Sequence, residues 1–294
     1  MKPFTNFPDI QFYNFLFFIF FVIGTSSSAQ ENSIRQCGTE IDEENIQQLI
    51  ELNRNLNSHI NNDFSRLYTG TTFFVPVQIH IIRTNSGNGG ISATDALAAF
   101  DRLNEYYIDA SIHFYQCSSI NYIDDSIYYD YNKSQKSALD AAYGVSNVVN
   151  IYVANTVSSS SGSICGHAEF PGGLDLVMQS ASCMKNGSTL IHEMGHYLSL
   201  YHTHETVFGS ESVNGLDCLF QGDQICDTPA DPRLRTSNFN SAGCYYYGTN
   251  SDENGEQYNP MVNNIMSYAS KECRTVFTLG QTIRILSALQ YLGK

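Results

Sequence analysis

The stretch His192-Glu193-Met194-Gly195-His196-Tyr197-Leu198-Ser199-Leu200-Tyr201-His202 decides how this chain folds. On a helix, residues four apart share a face about one turn from each other, so the imidazoles of His192 and His196 can converge on one tetrahedral ion. Glu193 then stands beside them, placed to take a proton from a metal-activated water without being a ligand itself. On an unbroken helix His202 would lie roughly 15 Å further along the axis and face away. The helix is therefore expected to end after Leu198 and the chain to turn back, which brings in His202 as third ligand and leaves the fourth position open. Open coordination is the mark of a catalytic rather than a structural zinc site. His204 is the alternative third ligand, and histidines that merely cap or pack are the alternative to any metal site.

Outward from the motif, the 294-residue chain carries Lys2, an apolar run from Phe15 to Gly24, and Ser26-Ser27-Ser28-Ala29. This reads as a secretory signal peptide over residues 1–29. Its apolar core of about ten residues falls short of the roughly twenty that span a bilayer, which favours cleavage over an uncleaved anchor. Eight cysteines in such a chain argue for disulfides. Those at 165, 183, 218, 226, 244 and 273 are expected to staple loops around the site, with open connectivity; no Cys-x-x-Cys unit is present for a zinc ribbon. A net charge of −14 argues against nucleic acid and anionic membranes as partners and makes cation binding easier. Asn132 and Asn186 head glycosylation sequons that fit a secretory route.

The periodicity predicts a thin amphipathic helix over 42–64, with Asp42 as N-cap and Ile46, Leu49, Ile50, Leu56, Ile60 and Phe64 on its face, packing on a larger body. That body is predicted to open with a strand over 73–82 and a glycine-rich turn at 87–90. A helix over 93–108, strands over 112–116 and 148–153 and a loop at 158–163 follow. A strand over 174–179, the motif helix over 188–199 and a terminal helix over 279–292 complete the list. The order implies a mixed sheet backed by a helix. The strand before the motif helix, if at an edge, would be the rail on which an extended peptide pairs.

Three motifs in order, the zinc string, Gly222-Asp223-Gln224-Ile225-Cys226-Asp227-Thr228-Pro229, and Asn264-Ile265-Met266-Ser267-Tyr268 with Cys273 and Phe277-Thr278-Leu279-Gly280-Gln281, resemble the pappalysin family of metzincin metalloproteases, especially its compact bacterial-type members. The resemblance covers roughly residues 73–292. It implies an α+β, zincin-like metzincin catalytic domain over 71–294: a twisted mixed sheet with backing and active-site helices above the cleft, and a loop-rich, disulfide-stapled lower subdomain with a C-terminal helix. It implies one catalytic zinc on His192, His196 and His202, Glu193 as base, Met266 as an apolar floor under the histidines (the Met-turn) and Tyr268 as oxyanion stabiliser. The substrates implied are proteins or peptides.

Where the family has glycine this chain has Ser199, which must adopt a left-handed backbone at a cost of about 1 kcal/mol. Cys37, in Arg35-Gln36-Cys37-Gly38-Thr39, resembles the family's cysteine switch. A pro-segment over 30–70 would then place a thiolate on the open metal position until cleavage between about Asn62 and Thr72; a Cys37–Cys117 disulfide is the rival reading. Asp217, Asp223, Asp227 and Asp231, with Glu205, offer oxygen ligands for calcium. The expected protein is a secreted, monomeric zinc endopeptidase without stable membrane association. A zinc-bearing binding protein lacking proteolytic activity is the alternative.

Overall fold

The computed structural model describes residues 36–41, 45–67, 72–186 and 188–293, with side chains 57–67 left aside. The signal segment, Asp42 and the side chains of Ile60 and Phe64 lie outside the described residues. Among those described, no helix is long and apolar enough to cross a membrane.

The elements run α1 (Ile46–Leu67), β1 (Phe73–Arg83), α2 (Ala93–Tyr107), β2 (Ile112–Gln116), β3 (Asn121–Asp124), α3 (Ser126–Tyr129), β4 (Asp130–Asn132), α4 (Lys136–Tyr143), β5 (Val149–Ala154), β6 (Thr156–Ser159), β7 (Gly162–Ile164), β8 (Gly166–Ala168), β9 (Leu176–Ser180), α5 (Ala181–Met184), α6 (Ser188–Tyr197), β10 (Phe239–Asn240), β11 (Tyr245–Tyr246) and α7 (Leu279–Leu292). The main sheet has the order β2-β1-β5-β9-β8, with β3 continuing alongside β1 beyond β2. All its pairs are parallel except the last, in which β8 runs antiparallel to β9.

Strand β1 shows why the sheet is central. Val75, Val77, Ile79 and Ile81 alternate onto one face and join Ile151 and Val153 of β5, Phe100 and Leu103 of α2, and Ile191 and Met194 of α6. The opposite face, with Ile82, Tyr152 and Met178, is covered by Tyr128, Tyr131 and Leu139. A parallel sheet needs both faces covered, and its strands are accordingly rich in β-branched residues. Helix α2 starts at Ser92, whose hydroxyl accepts from Asp95 N.

Two expectations change. The strand before α6 is not an edge: all of Leu176–Ser180 is buried, and the edge is β8, whose three residues lack the length and alternation that would announce a strand. The predicted loop at 158–163 is instead a β6–β7 hairpin turning at Ser160 and Ser161. Helix α1 docks through Leu49, Leu52 and Leu56 onto Tyr201, next to Ile41, Phe170 and Phe208.

The chain after α6 is mostly turns around a small core of Leu234, Phe239, Val262, Ala269 and Cys273. Disulfides Cys165–Cys183, Cys218–Cys226 and Cys244–Cys273 staple it and the β8 approach. Cys37 and Cys117 are both free, so the rival disulfide is not formed.

Candidate active site

Helix α6 is buried along its whole length and stops where the motif requires. Leu198 N bonds to Met194 O and Leu200 N reaches back to Gly195 O. Between them Ser199 takes φ +73°, the left-handed conformation that ends a helix. The turn delivers His202. Its Nε2 lies 3.1 Å from His196 Nε2, which is 3.2 Å from His192 Nε2. Cys37 Sγ lies 3.4 Å from His196 Nε2, and the four ligand atoms all fall within 4.8 Å of one another. His204 is not in this group; its ring stacks on His202.

The proton inventory tests whether a metal fits. His192 Nδ1 is 2.7 Å from Ile265 O and His196 Nδ1 is 2.7 Å from Leu200 O. A carbonyl only accepts, so both Nδ1 atoms are donors and the Nε2 atoms carry lone pairs aimed at a common point. Burial drives the pKa of His196 down to about 3 and those of His192 and His202 well below the ordinary histidine range. Three imidazoles kept neutral by burial and crowded at their Nε2 atoms are stabilised by a cation among them. Tetrahedral Zn–N bonds of about 2.0–2.1 Å would set ligand nitrogens about 3.4 Å apart, close to the spacing found. The donor set fits zinc.

Under the triad, a Cβ on Gly195 would meet Met266 Sδ at 2.5 Å, so glycine is what allows the methionine to seat there. Met266 is fully buried. Its loop is held by Asn264, whose side-chain oxygen accepts from Met266 N and whose amide pairs in both directions with Gln281 of α7 at 2.9 and 3.1 Å. Gln281 also forms a capping box with Thr278. Arg284 of the same helix donates to the carbonyls of Asp223 and Gln224, and Asp227 accepts from Gly280 N at the start of α7. The second and third sequence motifs thus meet on one helix.

Tyr268 stacks edge-on against His202 and His204, with its hydroxyl 3.4 Å from Cys37 O. Glu193 is fully buried, and burial raises its pKa to about 7 against the opposing bonds from Thr39 and Cys37. Residues 37–39 lie across these groups. Gly38 N donates to Gly166 O on the β8 edge at 2.8 Å, Lys133 Nζ to Gly38 O at 3.0 Å, and Ala168 N to Thr39 Oγ1 at 2.9 Å. The Thr39 hydroxyl in turn donates to Glu193 Oε2 at 2.9 Å.

Sequence reasoning missed Thr39, Lys133 and Arg274. Arg274 is buried beside His192 with its guanidinium donating to Ser188 Oγ at 3.0 Å. The signals were slight: a hydroxyl two residues past Cys37 and a cation next to Cys273. The calcium expectation finds no support among the described residues. Asp217 holds Ser212, Asp223 holds Thr228, Asp227 caps α7, Asp231 takes Thr203, and Glu205 accepts from the next two amides. Five acids with five separate local partners form no converging ligand set among the described residues.

The edge-stranded mixed sheet, buried motif helix and Met-bearing loop define a metzincin metalloprotease. Residues 132–290 match the peptidase family described as pregnancy-associated plasma protein-A. An extracellular metalloprotease of Colletotrichum graminicola is 30% identical over 276 residues, covering 86% of this chain and 89% of that one. One from Pyricularia oryzae is 26% identical, covering 72% and 74%. Among solved structures, a Tannerella forsythia promirolysin mutant superposes with TM-score 0.57 at 21% identity over 87% of this chain and 94% of that one. Mature mirolysin in complex with a cleaved peptide gives 0.54 at 21% identity, over 73% and 90%. The chain belongs to the pregnancy-associated plasma protein-A family, the pappalysins, and is a zinc metalloendopeptidase.

Proposed function

We propose that this chain is a secreted, monomeric proenzyme that cuts proteins or peptides, with His192, His196 and His202 holding one zinc ion. Bound there, zinc would polarise the scissile carbonyl and make an attacking water acidic near neutral pH. Glu193 takes the proton of the attacking water and delivers it to the leaving amine. Its raised pKa suits both halves of that task, since a base working near pH 7 must also be able to give the proton back. Tyr268 turns its hydroxyl toward the carbonyl oxygen as charge develops, and the β8 edge aligns the substrate backbone through the groups that Gly38 and Thr39 engage.

Residues 1–29 direct export, 30–70 keep the enzyme latent and 71–294 carry the chemistry. Cys37 takes the fourth metal position in the latent form while Thr39 occupies Glu193. Cleavage between about Asn62 and Thr72, a stretch partly outside the described residues, releases both. The observation that carries this reading is the convergence of three Nε2 atoms with one thiol sulfur.

Replacing Glu193 by Gln should leave about one zinc per chain and lower cleavage of a denatured protein by at least about a thousandfold. Cys37→Ser in the full chain should raise its basal cleavage. Retained activity in the first variant or unaltered latency in the second contradicts the assigned roles.

A further inference from the structure

Beside the metal triad lies a cavity of about 660 Å³ whose wall includes His202, Tyr268, Arg233 and Arg235. Arg233 holds a backbone φ of +69°, uncommon for a side chain of its size. Asp231 fixes it there by accepting from Arg233 N at 2.8 Å, and the guanidinium lies 5.1 Å from the centre of the Tyr268 ring. A left-handed arginine next to a reacting centre is the kind of local strain that the surrounding fold must hold in place. Neither guanidinium forms an ion pair with a carboxylate among the described residues.

The carboxyls that share the cavity leave these cations available. Asp231 spends its oxygens on Thr203 Oγ1 and Arg233 N. Glu205 accepts from Thr206 N and Val207 N. Burial, reinforced by Asp223 and Asp217, raises Glu211 to about 8, so it is largely uncharged at neutral pH. The remaining acid is Glu40, which belongs to the segment lying across the cleft, three residues past Cys37. Glu40 therefore lines the same cavity as the two arginines in the latent chain.

From this we infer that Arg233, supported by Arg235, is a specificity residue that recognises an acidic side chain of the substrate close to the scissile bond. The inference rests on the active-site reading above and adds the substrate class. A guanidinium fork matches a carboxylate in geometry and charge, and rejects lysine or arginine by repulsion. Because the chain as a whole carries −14, this pair of guanidiniums sets the register of an acidic residue in the cleft by direct contact and does not steer from a distance.

The test uses the full chain, zinc-loaded and relieved of its pro-segment by limited proteolysis, on peptides that differ only by Glu, Ala or Lys at each position flanking the cut. The Ala peptide, compared between the unsubstituted chain and Glu193→Gln, reports the active-site reading separately. At one fixed position the Glu peptide should exceed the Lys peptide by about tenfold or more in kcat/KM. Arg233→Glu should reverse that ratio and Arg233→Lys should keep its sign. The ratio is read within each variant, so a general loss of activity does not mimic the effect. Equal cleavage of Glu and Lys peptides at every position, a preference for Lys, or a ratio unmoved by Arg233→Glu overturns the inference.

Discussion

Ser199 sits at φ +73° with its hydroxyl buried and without a hydrogen-bond partner among the described residues. Two costs meet there: about 1 kcal/mol for a left-handed L-residue and about 1 kcal/mol or more for the unsatisfied hydroxyl. Glycine removes both while adding chain entropy to the unfolded state, which offsets part of the gain. Ser199→Gly is expected to stabilise the chain by about 1 kcal/mol, read as a rise of about 2–4 °C in thermal midpoint. A lower midpoint would mean that the serine is supported by something other than backbone geometry. The turn itself was legible in the sequence, since His202 had to return to His192 and no helix ten residues long allows that. The occupation of Glu193 by Thr39 was not, because a single hydroxyl carries no spacing signal until the segment around it is placed.

At the scale of elements, α7 acts as a clasp that joins the second motif to the Met-bearing loop of the third. Gln281 satisfies the Asn264 amide and Thr278 N together. Gln281→Ala strands these buried groups at about 1–3 kcal/mol each, so a loss of roughly 2–4 kcal/mol is expected in urea unfolding. Met266 should also be freer, and zinc should leave faster to a chelator; a change under about 0.5 kcal/mol would show that water replaces the amide pair without loss. Strands β1 and β5 and helices α2, α6 and α7 were readable because burial on both sheet faces or on one helical stripe imposes a period on the sequence. β8 was not readable: three residues, Gly166-His167-Ala168, have no period to show, and their role comes from an antiparallel partner found only in the fold. The acidic loop was not readable either, since carboxyls close in sequence each take a different backbone amide or hydroxyl.

For the whole molecule, the buried titratable groups fix how stability depends on pH in the zinc-free chain. Six histidines, His80, His167, His192, His196, His202 and His204, have their pKa values lowered, in each case chiefly by burial. On unfolding they return to about 6.5 and take up protons, so stability falls as pH drops below that value. Five carboxyls behave oppositely, Asp140 among them, raised chiefly by burial. Burial raises Asp231 to about 6, Glu193 and Asp223 to about 7 and Glu211 to about 8. A folded acid with a raised pKa keeps a proton that the unfolded chain releases, so its contribution is complete below about pH 4 and is lost as pH rises through 6 to 8. The two sets oppose each other, and the histidines prevail on the acid side because they are more numerous. Thermal midpoints measured in chelator should therefore peak at about pH 6–7, fall steeply toward pH 5 and decline gently toward pH 8. Zinc should lift the midpoint by an amount that shrinks below pH 6, where protons compete with the metal for the imidazoles. A midpoint that climbs steadily from pH 6 to pH 9 in chelator would show that these carboxyls are ionised in the fold and that burial does not govern their titration.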